Sequence, residues 1–194
     1  ATTKTLPADF PKGHNAFYVM KYELSQGQYV AFLNKLTAAQ AVNRYDATNL
    51  GIRGYNIHDD GEGNEKYYTT TPERACNFIS YEDAYAYTDW ACLRIPTELE
   101  WEKAARGPDV SVTEEYAWGN EFIQSTDYML SDDGTANELI TNAATSVGHG
   151  LYGINADLIN RPVRCGIFSA SAINKTRQET GASYYGVMEM SGNV

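Results

Sequence analysis

Apolar positions along this chain change rhythm several times, and each change predicts an element. Phe17-Tyr18-Val19-Met20-Lys21-Tyr22-Glu23-Leu24 is aromatic and β-branched with partial alternation, which predicts a strand. Ser25-Gln26-Gly27-Gln28 follows as a Ser-x-x-Gln capping box, in which two orphan amides are satisfied reciprocally. Tyr29, Phe32, Leu33 and Leu36 then fall at i, i+3, i+4 and i+7, one apolar helical face. A second helix is predicted behind Ser80 with Asp83 three residues on, its buried side formed by Ala84, Tyr87, Trp90 and Ala91. The third is the clearest. Pro96 fixes its entry, Thr97-Glu98-Leu99-Glu100 caps it, and Glu98 and Glu100 suit the positive end of the dipole. Lys103 and Arg106 suit the other end, Gly107 and Pro108 stop the helix, and Trp101, Ala104 and Ala105 are expected in the core.

Between these elements the periodicity fades. Residues 37–71 show no clear period. Their acidic run Asp59-Asp60-Gly61-Glu62-Gly63-Asn64 lacks the register of an EF-hand loop and reads as a solvated loop, with weak calcium binding as the alternative. After Pro108 the chain is loop-rich, and only residues 163–168 and 184–190 predict short strands. Early helices followed by irregular chain with short strands point to an α+β fold, not alternating βαβ units.

Composition narrows the function classes. The 194 residues carry 25 Asp+Glu against 15 Lys+Arg, a net charge of −10, which argues against nucleic-acid binding. With 43% hydrophobic and 12% aromatic residues the chain has enough apolar surface for a core, yet no run long enough to span a membrane. Cys76, Cys92 and Cys165 are an odd number without metal-ligand spacing; one disulfide with a free thiol, or three buried thiols, both fit. The start at Ala1 and the stop at Val194, just after a turn, read as part of a longer protein.

Several motifs, in order, carry a family resemblance. Residues 93–107, Leu-Arg-Ile-Pro-Thr-Glu-Leu-Glu-Trp-Glu-Lys-Ala-Ala-Arg-Gly, closely resemble the R-L-P-T-E-x-E-W-E-x-A-A-R-G signature of the formylglycine-generating-enzyme (sulfatase-modifying factor) family. Residues 17–34 resemble its opening strand and helix, and 80–91 its S-W-x-D-A-x-A-Y-x-x-W-A segment. Tyr116-Ala117-Trp118-Gly119-Asn120 matches Y-P-W-G-N, and residues 185–194 resemble the start of G-L-Y-D-M-x-G-N-V-W-E-W. The resemblance implies a C-type-lectin-like α+β fold with two to three helices, twisted antiparallel strands and much irregular chain. It divides the sequence into a lead-in, 1–16, and an incomplete family domain, 17–194. The edge of the predicted strand at 17–22 would then be covered by further chain or by a neighbouring subunit.

The resemblance also implies chemistry. Family oxidases hold copper on a cysteine pair and oxidise a substrate cysteine to formylglycine; that pair falls beyond residue 194. Calcium is the more transferable cofactor, with Asn193 and the Val194 carbonyl at one site, and Asn137, the Glu138 carbonyl and Asp157 at another. Arg94, Thr97, Glu98, Glu100, Trp101, Glu102, Arg106, Trp118 and Asn120 form the structural signature. Arg94, Glu98 and Glu102 make a charged cluster, which capping and ion pairing explain without catalysis. The expectation is an extracellular or cell-surface scaffold for a ligand or a neighbouring subunit, oligomeric and non-catalytic. The alternatives are the copper oxidase itself and a subunit of a surface filament.

Overall fold

A computed structural model describes residues 4–153 and 159–194. It is an α+β arrangement. The elements are α1 (Gln26–Leu33), α2 (Ala38–Ala41), β1 (Ile57–His58), β2 (Tyr68–Thr69), α3 (Tyr81–Trp90), α4 (Glu98–Arg106), β3 (Leu130–Ser131), β4 (Leu139–Ile140) and α5 (Ile167–Ser171). β1 pairs antiparallel with β2, and β3 with β4. The acidic run 59–64 lies in the β1–β2 connection and is mostly exposed.

The three longer helices start where their capping boxes predict. Ser25, Ser80 and Thr97, and also Thr37 before the short α2, each accept from the amide three residues on, and the side chain there returns the bond. Two reciprocal bonds at each entry satisfy donors that a helix otherwise leaves open. α1 buries Tyr29, Phe32 and Leu33 against Tyr55, Ile57, Tyr67 and Tyr87, forming one core. A second core gathers Tyr128, Ile140, Leu151, Ile159, Val163, Ile167 and Phe168. His149 is buried beside it, its Nε2 against the Ala144 carbonyl at 2.8 Å and its Nδ1 against the Tyr128 hydroxyl at 3.1 Å.

A narrow backbone seam joins the two cores. The Gln26 amide donates to the Arg74 carbonyl at 2.8 Å, and the Cys76 amide to Leu24 at 2.7 Å. On its other side the same segment donates from Ala75 to Val163 at 3.1 Å and accepts at Glu73 from Cys165 at 2.9 Å. Residues 73–76 thus hold the α1 half to the α5 half.

Several expectations are corrected. Residues 17–20 carry no regular structure, 21–22 bend, and the segment forms no ladder; Lys21 alone of them accepts a backbone bond, from the Met188 amide at 2.8 Å. An extended segment is a strand only when a neighbour fills its alternate donors and acceptors, and the described chain places none there. Residues 163–168 make one isolated bridge, Arg74 to Arg164, before α5 begins, because Gly166 turns the backbone at φ 76°. Residues 184–190 are turns and irregular chain. Trp101 and Trp90 are 48% and 42% exposed, so the apolar faces of α4 and α3 are carried by Ala104, Ala105 and Tyr87.

Candidate functional site

The signature residues of α4 converge on structure. Glu100 is buried, and Arg94 donates to its two oxygens at 2.7 and 2.6 Å while the Thr97 amide donates at 3.0 Å. The Arg94 fork is the largest cause holding the Glu100 carboxyl down, at about 2. At the far end Arg106 reaches Glu102 at 2.5 Å and Glu115 at 2.6 Å. The Thr97 hydroxyl donates to the Pro11 carbonyl at 2.7 Å and Lys103 to Asn15 at 3.0 Å, so the lead-in segment lies on this helix. Glu98 lies in the first turn, where its charge suits the dipole.

The sign of the Glu100 shift gives a pH prediction. A carboxyl held below its ordinary 4.5 contributes stability that is fully present above 4.5 and lost as pH falls toward 2. The melting-temperature gap between the wild type and E100Q should therefore be constant from pH 7 to 5 and close toward pH 2. A gap unchanged at low pH would assign the effect to packing.

Trp118 is the other signature anchor. Its ring is buried and stacks on Tyr116 at 4.7 Å, and its Nε1 donates to Asn120 Oδ1 and the Phe122 carbonyl, both at 3.2 Å. Asn120 Oδ1 also accepts from the Phe122 amide at 3.0 Å. Next to it the Ala117 amide donates to the Ser191 hydroxyl at 2.9 Å, and Arg177 donates to the Ala117 carbonyl at 2.9 Å. This turn ties residues 116–122 to the last turn of the chain.

A buried acidic pair went unread in the sequence. Asn193 Nδ2 donates to Glu23 at 2.5 Å, and the Gly166 amide donates to Glu189 Oε1 at 3.0 Å, leaving Glu189 Oε2 buried without a donor. Desolvation pushes Glu23 up to about 8, offset in part by the Asn193 amide, and pushes Glu189 up to about 7. Cys165 donates from its thiol to the Glu23 carbonyl at 3.5 Å, and burial raises its pKa above that of a free thiol. Burial likewise raises Cys76, to about 12. All three cysteines are free, and Cys92 is exposed.

Of the oxygens expected to hold calcium, two are engaged by protein donors. Asn193 Oδ1 accepts from the Val163 amide at 2.8 Å, and Val194 is exposed. Asn137 is exposed, while the Glu138 carbonyl accepts from Arg164 Nε at 3.0 Å. Asp157 lies outside the described residues. A hard cation needs several free oxygens, and a carbonyl facing a guanidinium is not one. Asn193 Oδ1 and the Glu138 carbonyl thus already face protein donors.

The family profile described as a sulfatase-modifying factor enzyme 1-like domain matches residues 7–194. The chain belongs to this family. Among relatives of the sulfatase-modifying factor family, it is similar to the formylglycine-generating enzyme of Thermomonospora curvata, 33% identical over 105 residues, 48% of this chain and 34% of that protein. It is 45% identical to the Streptomyces coelicolor enzyme of that name over 103 residues, covering 47% of this chain and 32% of that one. A hercynine oxygenase of Mycobacterium tuberculosis is 50% identical over 44 residues, 22% of this chain and 10% of the relative. The chain thus spans about a third of the length of the first two relatives. No solved structure shows a significant match. Membership in the sulfatase-modifying factor family carries the C-type-lectin-like fold, and the described helices and short antiparallel strands agree with it.

Proposed function

We propose that this chain forms a non-catalytic scaffold within a sulfatase-modifying-factor protein, one that binds a ligand or a neighbouring subunit. The observation that carries the reading is how the charged signature is used. Arg94, Glu100, Glu102 and Arg106 are bonded to one another, to a cap or to Glu115, so these groups hold the fold together. Beside them lies an apolar face for contact. Tyr18 is fully exposed, and a cavity of about 620 Å³ is lined by Phe17, Val19, Ala104, Tyr185 and Val187. Tyr offers large amphipathic contact area at low entropy cost, which suits a binding surface. Placement at the cell surface belongs to the same reading. Among the described residues no helix is long and apolar enough to cross a membrane.

The second reading is a copper-dependent oxidase, favoured by the identity to proteins named formylglycine-generating enzyme. Incubation of the whole protein, including any chain that follows residue 194, with copper and a cysteine-containing sulfatase-type peptide separates the two. The scaffold reading expects the peptide cysteine to remain unchanged by mass spectrometry. Conversion to the aldehyde would establish the oxidase and overturn the scaffold.

A further inference from the structure

Three arginines from two distant segments, Arg74 on one and Arg161 and Arg164 on the other, meet two carboxylates between the β3–β4 connection and the entry to α5. Arg74, on the seam segment, donates to Asp133 at 3.0 Å and to the Gly54 carbonyl at 3.3 Å. Arg161 pairs with the other oxygen of Asp133 and donates from Nη1 to the Ile159 carbonyl at 2.9 Å. Arg164 donates from Nε to the Glu138 carbonyl and from its backbone amide to Glu138 Oε2, both at 3.0 Å. The Arg74 and Glu138 side chains are almost fully buried, where charge must be balanced, while Asp133 is half exposed at the rim of the cluster.

We propose that this guanidinium cluster is a built-in cation centre, holding the loops at 54, 133–138 and 159–164 together in place of a bound metal ion. The carbonyl oxygens of Glu138 and Ile159 and the carboxylate of Asp133 are the hard acceptors a divalent ion would take, and each already faces an arginine. With both carboxylates ionised, the three arginines leave the five side chains at a net charge of +1. A divalent ion would enter against that charge and would have to displace forked hydrogen bonds. One acceptor is left over: Glu138 Oε1 is buried without a donor.

The cluster therefore makes the loop region independent of calcium, whatever ligand or substrate the protein takes. The test is thermal unfolding of the protein after exhaustive chelation and again with millimolar calcium, paired with R164Q and R161Q. The wild-type melting temperature should move by less than ~1 °C between the two conditions, while R164Q should lower it by roughly 5 °C or more. In R161Q, which frees the Ile159 carbonyl and one oxygen of Asp133 while Arg74 keeps the other, calcium should restore part of the loss. Should R164Q fail to fold, R161K keeps the charge, loses the fork, and should still melt below the wild type. A wild-type melting temperature that falls on chelation, or arginine variants that melt like the wild type, would overturn the assignment.

Discussion

Replacing Gln26 by Leu is expected to lower stability by about 3 kcal/mol or more, a drop in melting temperature on the order of 10 °C. Gln26 is fully buried at the first turn of α1, yet its side chain is not there for packing. Its Nε2 donates to the Gly54 carbonyl at 2.9 Å, and its Oε1 accepts from the Asn56 amide at 3.0 Å. The Thr69 and Thr71 hydroxyls add weaker bonds to the same oxygen at 3.3 and 3.4 Å. Leucine has a similar volume, so the cavity term is small. The cost comes from leaving the half-buried Asn56 amide without its acceptor and the Gly54 carbonyl with only the longer Arg74 bond. Thermal or denaturant unfolding of Q26L checks it. A loss below about 1 kcal/mol would mean that water reaches both groups.

The second large effect is expected at Trp118. Trp118→Ala removes a buried ring and should cost about 3–5 kcal/mol. The site cannot collapse easily, because the backbone around the ring is already committed: a Cβ on Gly148 would lie 2.0 Å from the indole. Loss of the Nε1 donor also releases Asn120 Oδ1, which helps fix the Phe122 amide. Trp101→Ala is the control, since that ring is half-exposed and the change should cost about 1 kcal/mol or less. Equal losses in the two variants would mean that the aromatic surface, not this anchor, holds the turn.

Local chemistry made part of this molecule legible in the sequence. Helix entries were readable because a capping box is a four-residue contract, complete at Ser25–Gln28, Ser80–Asp83 and Thr97–Glu100. The same pattern at Thr37 and Gln40 marks α2, although the surrounding period fades. Strand readings at 17–22, 163–168 and 184–190 did not hold. Propensity describes a side chain on a pleated surface, while a strand needs a partner that propensity does not name. Trp101 and Trp90 show the matching error for helices: periodicity finds the apolar face, but neighbours decide how much of it is covered. The site was least legible. Glu23 and Glu189 sit 166 positions apart in sequence, and only the approach of both to Gly166 and Asn193 makes them a buried acidic pair. An acidic residue inside the aromatic run at 17–24 was the one signal available. The arginine cluster had none, since Arg74, Arg161 and Arg164 lie in segments without periodicity.

The bond between Asn193 and Glu23 spans 170 positions, and it bears on how the chain can be made. On a ribosome, Glu23 emerges long before the amide that shields it. Until then its carboxyl cannot be drawn into the interior at the ordinary cost, and the Val163 amide that Asn193 also caps stays open. Nor can the turn at Trp118 close on Ser191 before the same late residues appear. The early helices can form as they are synthesised, because their caps lie within four residues. The first core, gathered from residues 29–87, can close early as well, but the contacts of Asn193 and Ser191 come last, so a ribosome stalled short of residue 190 would hold out a chain with a formed first core and an unsealed second half. Such a chain leaves the Glu23 carboxyl and the Val163 amide without the side chain that covers both.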